Sequence, residues 1–146
     1  MIRGFEKVSY IDNAKLPTRS DDKSAGYDFY TNEKIIIPAG QTVKFSTGIK
    51  AYMEPDEVLM LYVRSSIGIK KNIMLSNGTG IIDSSYYNNP DNEGNIMCAL
   101  YNYGNEDQVI EAGDRVMQGI FMKYLIADND VVVNKKRTGG IGSSGA

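Results

Sequence analysis

Apolar residues fall at every second position, or in short runs, along most of the chain. Val43, Phe45, Thr47, Ile49 and Ala51 alternate with their neighbours, and Val58, Met60 and Tyr62 interleave with Leu59, Leu61 and Val63. A period of two is that of a strand, whose successive side chains point to opposite faces. Residues 96–101 and 116–125 predict further strands, and Val131-Val132-Val133 a short last one. Turn formers separate these segments: Pro38-Ala39-Gly40, Glu54-Pro55-Asp56, Asn77-Gly78, Ala112-Gly113-Asp114 and Asp128-Asn129-Asp130. Residues 88–94, Asn-Asn-Pro-Asp-Asn-Glu-Gly, read as an exposed hairpin loop or insertion. No long window carries a helical stripe, and one short helix fits residues 65–72. Ile37-Pro38-Ala39-Gly40 is echoed by Ile110-Glu111-Ala112-Gly113, which suggests two similar units closing on each other. Many short strands with frequent turns and no interior linker predict one all-β domain of the sandwich or jelly-roll kind.

Composition narrows the chemistry. The chain has 146 residues, 42% apolar and 23% charged, with a formal net charge of -2. Such a balance gives no global basic field, so nucleic acid is not an expected partner. No apolar stretch reaches membrane-spanning length and the start lacks a hydrophobic signal region, so no membrane partner and a cytoplasmic location are expected. Histidine is absent, which removes Ser-His-Asp and Cys-His catalysis. The single cysteine, Cys98, sits in the apolar run 96–100 and reads as a small buried hydrophobe. Carboxylate, hydroxyl, Lys and Arg chemistry remains, with a hard cation as its natural companion. Walker, G-x-G-x-x-G, H-E-x-x-H and C-x-x-C patterns are all missing.

Four interior segments and the end of the chain carry candidate chemistry. Asn77-Gly78-Thr79-Gly80-Ile81-Ile82-Asp83-Ser84-Ser85-Tyr86 places two glycines before a short strand and a carboxylate at its end. Asp83 there fits either a group that orients water or a turn cap. Arg64-Ser65-Ser66 after an apolar strand fits phosphate oxygens. Gly113-Asp114-Arg115-Val116-Met117-Gln118 offers Arg115 and Gln118 to a second phosphate, or an Asp114–Arg115 pair in a structural turn. Ala25-Gly26-Tyr27-Asp28-Phe29 sets a carboxylate among apolar residues, where it needs an arginine or a hydrated metal as partner. The end, Gly139-Gly140-Ile141-Gly142-Ser143-Ser144-Gly145, follows three cations and suits either a phosphate-wrapping segment or a frayed terminus.

Taken together and in order, these five motifs strongly resemble those of the trimeric dUTP diphosphatase (dUTPase) family, of the bacterial or phage type, across residues 25–145. The resemblance implies a jelly-roll-like distorted β-barrel and a homotrimer with active sites at subunit interfaces. It divides the chain into a β domain over 1–136 and a flexible glycine-rich lid over 137–146 that crosses to another subunit. The implied activity is Mg²⁺-dependent hydrolysis of dUTP to dUMP and pyrophosphate by water attack at the α-phosphorus, limiting uracil in DNA and supplying dUMP for dTMP synthesis. By position, Asp83 is the catalytic carboxylate and Tyr86 stacks beneath deoxyribose. Asn77 and the backbone of Gly80, Ile81 and Ile82 read uracil as a β-hairpin. Arg64, Ser65, Ser66 and Gln118 hold phosphates, with Lys136 or Arg137 at the γ-phosphate and Gly142, Ser143 and Ser144 closing over the chain. Asp28 serves the metal through water, and Arg115 supports the site.

Departures from the family pattern are also visible. Ile141 stands where the family has an aromatic that covers the base, and so gives up ring stacking. Residues 88–94 lengthen the turn after Tyr86 and are expected to be solvent-exposed, away from the chemistry. A dCTP deaminase-like enzyme and a regulatory nucleotide-switched binding protein are the alternatives. A phage-encoded chain would add a regulatory protein partner and the host cytoplasm as its location.

Overall fold

A computed structural model describes residues 1–134 and 139–141. Eleven strands and one short helix follow in the order β1 (Gly4–Lys7), β2 (Tyr27–Tyr30), β3 (Ile35–Ile37), β4 (Thr42–Ser46), β5 (Ile49–Tyr52), β6 (Glu57–Val63), α1 (Ser65–Lys70), β7 (Ile73–Leu75), β8 (Gly80–Asp83), β9 (Met97–Asn102), β10 (Gln108–Ile110) and β11 (Arg115–Lys123). A four-stranded sheet runs β2-β11-β6-β8, a three-stranded sheet runs β4-β9-β7, and β1-β5 and β3-β10 form two-stranded ribbons. Every ladder is antiparallel.

Alternation along each strand fills the space between these layers. β9 alternates half-buried and buried residues, sending Cys98, Leu100 and Asn102 inward. Phe29, Ile37, Leu59, Ile73, Ile96 and Ile110 are fully buried beside them. Phe5 closes one end of this core, with its ring 5.2 Å from Tyr27 and 5.5 Å from Phe29, both edge-on. The echoed Ile37 and Ile110 segments pair with each other in the β3–β10 ribbon. Each leads into a turn whose glycine takes a positive φ, 75° at Gly40 and 86° at Gly113.

Three expectations need correction. The alternation over 43–51 is not one strand: it breaks at Gly48, where φ is 75° and an added Cβ would lie 2.7 Å from Ala14. The chain leaves β9 there and pairs with β1 instead, turning the corner between layers. Val131-Val132-Val133 form no strand and are largely exposed, since no neighbouring ladder accepts them among the described residues. The 88–94 segment is solvent-exposed only in part: Asn88, Pro90 and Asp91 are exposed, whereas Asn89 and Gly94 are buried.

Candidate active site

A cavity of about 370 Å³ opens where the two main sheets part. β7 belongs to one sheet and β8 to the other, and the turn Asn77-Gly78-Thr79 carries the chain between them. The segment Asn77–Ile82 is therefore not the two-stranded hairpin the resemblance implies, since β7 and β8 share no ladder. Gly78 makes the turn at φ 73°, and the Gly78 N–H donates to the Leu75 carbonyl at 2.9 Å. Gly80 is required by its neighbour: a Cβ there would stand 2.8 Å from that of Leu61. β8 is the edge of its sheet, so one row of its N–H and C=O groups points away from β6.

Asn77, Gly80, Ile81, Ile82, Asp83 and Tyr86 all line this cavity, and so does Ile141. Asp83 starts the short 3₁₀ turn Ser84–Tyr86, yet its side chain does not cap that turn. The turn-cap alternative is thereby removed. Lys44, Ser76, Met97 and Met117 also line the wall; Met117 lies in the Gly113–Gln118 segment, and the other three carry no local signal. Methionines in apolar runs look like core whichever way they face. Tyr86 is buried, and its hydroxyl is held from both sides. It donates to the Asn95 carbonyl at 2.8 Å and accepts from Asn92 Nδ2 at 2.8 Å.

A second cluster lies at the far edge of the same sheet. Asp28 on β2 is buried and accepts from Arg64 Nε at 3.0 Å. Its other oxygen faces an Arg115 guanidinium nitrogen at 3.6 Å and accepts from Ser20 Oγ at 3.4 Å. Arg64 also donates to Ser66 Oγ at 3.2 Å. Gln118 is the register partner of Asp28, and its side-chain amide packs against Gly26, which leaves no room for a Cβ there. Asp114 does not pair with Arg115; its carboxylate accepts from the Glu111 N–H at 3.0 Å and closes the turn. Ser65 opens α1 and is exposed beside this group.

The predicted residues thus fall into two groups, Asn77 to Tyr86 with Ile141, and Asp28, Arg64, Ser65, Ser66, Arg115 and Gln118. None of the second group lines the cavity. Asp83 is opposite Val58, at the start of β6, whereas Arg64 follows its end. Six residues of extended chain separate those two ends, about 20 Å at about 3.3 Å per residue. Lys136, Arg137, Gly142, Ser143 and Ser144 lie outside the described residues. Cys98 is fully buried, and burial pushes its thiol up to about 12, which leaves it no role as a nucleophile near neutral pH.

The loop after Tyr86 belongs to the site. Lys50 Nζ donates to Asn88 Oδ1 at 2.6 Å and pairs with Glu93 at 3.1 Å, while Ser9 donates to Glu93 through both its N–H and its hydroxyl. The expectation that 88–94 lies away from the chemistry is corrected. Asn89 and Asn92 bond to Tyr86 and to one another.

Comparisons with known proteins agree with this geometry. The dUTPase family model matches residues 12–145. The chain is 49% identical to a deoxyuridine 5'-triphosphate nucleotidohydrolase of Lactococcus lactis, with 99% of each chain covered. It is 35% identical to the protein of the same name from Haemophilus ducreyi, over 89% of this chain and 86% of that one. Among solved structures, the dUTPase of Streptococcus mutans superposes with a TM-score of 0.79 at 47% identity, over 86% of this chain and 98% of the other. The dUTPase of Staphylococcus bacteriophage 80alpha superposes at 0.74 with 19% identity, over 90% and 88%, a likeness of fold.

Proposed function

The chain belongs to the dUTPase family, and from that premise we propose that it hydrolyses dUTP to dUMP and pyrophosphate, as a dUTP diphosphatase. This limits uracil in DNA and supplies dUMP for dTMP synthesis. The observation that carries the reading is the cavity that gathers Asn77, the β8 edge, Asp83 and Tyr86 in one place. An exposed row of backbone donors and acceptors suits the uracil edge, and the opposite pattern on cytosine is rejected. A buried tyrosine ring, fixed by both bonds at its hydroxyl, makes a hard floor for deoxyribose and excludes a 2′-hydroxyl. Asp83 holds the 3′-hydroxyl and orients the water that attacks the α-phosphorus. Ile141, at the cavity wall, covers the base without stacking on it.

The second cluster supplies the phosphate side. Arg64, Ser65, Ser66 and Gln118 grip phosphate oxygens, while Asp28 and Arg115 hold Arg64 in place. One chain does not bring Arg64 to the phosphorus that Asp83 faces, since the length of β6 separates them. A homotrimer, in which the arginine cluster of one subunit meets the cavity of another, completes the site. Exposed Leu125, Ile126 and Val131 to Val133 support such an assembly by offering apolar surface after β11. Lys136 or Arg137 contacts the γ-phosphate, and Gly142, Ser143 and Ser144 close over the triphosphate as the lid of the 137–146 segment.

The cofactor in this reading is Mg²⁺. Among the described residues no group of three Cys, Asp or Glu side chains converges, and both Asp28 oxygens already face cations. That donor set fits a hydrated ion held chiefly by the substrate phosphates, with Asp28 reached through water. When bound, such an ion neutralises charge on the phosphate oxygens.

Pyrophosphate release from dUTP, UTP, dCTP and dTTP, with and without Mg²⁺, tests the proposal. Release from dUTP with Mg²⁺, and little from the other three, is expected. Ammonia from dCTP would move the chain to the deaminase branch, and nucleotide binding without turnover would make it a binding protein.

A further inference from the structure

We propose that Asn92 is a positioning residue that fixes the sugar-facing ring and so sets sugar discrimination. The proposal rests on the reading of Tyr86 as the sugar-facing ring. Asn92 has one arrangement that satisfies its surroundings. Its Oδ1 accepts from the Gly94 N–H at 3.0 Å and from Asn89 Nδ2 at 2.8 Å. Two donors at the oxygen end leave the nitrogen end for the Tyr86 hydroxyl, at 2.8 Å. Asn89 braces the same network: its Nδ2 donates to the Tyr86 carbonyl at 2.8 Å, and its Oδ1 accepts from the Asp91 and Asn92 N–H groups.

The backbone is held in a costly shape to achieve this. Asn88 and Glu93 take φ values of 55° and 63°, and a Cβ on Gly94 would stand 2.8 Å from the Tyr86 carbonyl oxygen. Conformations of this kind persist where the surroundings over-determine them. Ser9 and Lys50 provide that restraint by gripping Glu93 from outside.

The C-terminal segment touches the same amide. Gly140 is buried and donates its N–H to Asp91 Oδ2 at 3.3 Å. A Cβ on Gly140 would meet that oxygen at 2.9 Å and Asn92 Nδ2 at 3.2 Å. Gly140 therefore sits against the nitrogen that fixes Tyr86, and Ile141 follows at the cavity wall. Losing the amide removes one of the two bonds that fix the Tyr86 hydroxyl.

The readout is the ratio of kcat/KM for dUTP over UTP. Asn92→Ala is expected to lower it roughly fivefold, the scale of one hydrogen bond. Tyr86→Phe keeps the ring, removes both bonds at the hydroxyl and is expected to shift the ratio at least as far. The double variant should shift no further than Tyr86→Phe alone, because that change already removes the Asn92 bond. An unchanged ratio in Asn92→Ala, even with a lowered melting temperature, would make Asn92 structural and overturn the proposal, as would additive shifts in the double variant. If Asn92→Ala does not fold, the comparison of Tyr86→Phe with Asn92→Asp carries the test. Should the wild-type chain turn over no dUTP, the functional reading fails separately. The binding ratio of dUMP over UMP by calorimetry then decides the role of Asn92.

Discussion

Asp83 and Asp28 sit at opposite edges of one four-stranded sheet and in opposite surroundings. Asp83 is exposed at the wall of a cavity, at the end of an edge strand that lines it. Asp28 is buried and held between two guanidinium groups and a serine. In the function proposed above, one carboxylate would meet the reacting water and the other would organise the cations that grip phosphate; burial and charge are what set the two apart.

The largest effect expected is at the cavity. Asp83→Asn should bind nucleotide as before and lose about a thousandfold in turnover, in the range general-base catalysis supplies. Undiminished pyrophosphate release would end the contrast between the two carboxylates. Removing residues 137–146 comes next, with about a hundredfold loss in dUTP hydrolysis and an unchanged circular dichroism spectrum expected from a lid that excludes water. Full activity in the shortened chain would show the terminus to be passive. Asp28→Asn should act on stability first. Two arginines lose their shared counter-charge, and because both are partly exposed the expected cost is about 2 kcal/mol, less than for a fully buried pair. Urea unfolding measures it, and an unshifted midpoint would return Asp28 to the chemistry.

The smallest effect concerns pH and the loop that holds Tyr86. Hydrogen bonds from Ser9, then Lys50, keep the Glu93 carboxyl below the usual glutamate range. A depressed folded value means stability that is present above the unfolded value, about pH 4.3, and lost as pH falls through the folded one. Glu93→Gln should therefore flatten the fall in melting temperature on the acid side. Parallel curves for variant and wild type would show that the latch contributes nothing to acid sensitivity.

The chemistry was more legible in the sequence than the topology. Asp83, Tyr86 and Asn77 lie within ten residues of one another, so local order alone brings them to one cavity. The Arg64 group could be recognised motif by motif, but its pairing with Asp28 joins residues 36 apart and depends on which strands become neighbours. The break at Gly48 leaves no mark in the pattern, because alternation continues through it; only the change of partner strand reveals the corner. Val131 to Val133 read as a strand because β-branched residues favour one, yet a strand needs a ladder to join. Composition made the 88–94 loop look like surface. Asn and Asp side chains that bond to each other and to backbone look identical, in sequence, to those that bond to water.

The Asp28–Arg115 contact has a bearing on how the protein is made. It joins β2 to the start of β11, across most of the chain. Pairings between distant segments form late, because the entropy of closing the intervening loop must be met before they contribute. A chain emerging from the ribosome would hold the Tyr86 side of its site well before the arginine side, and until residue 115 is free Arg64 and Asp28 must wait for their third member. The half of the site that waits is the half that would grip phosphate, so a nascent chain has little means of capturing nucleotide before its sheet is closed.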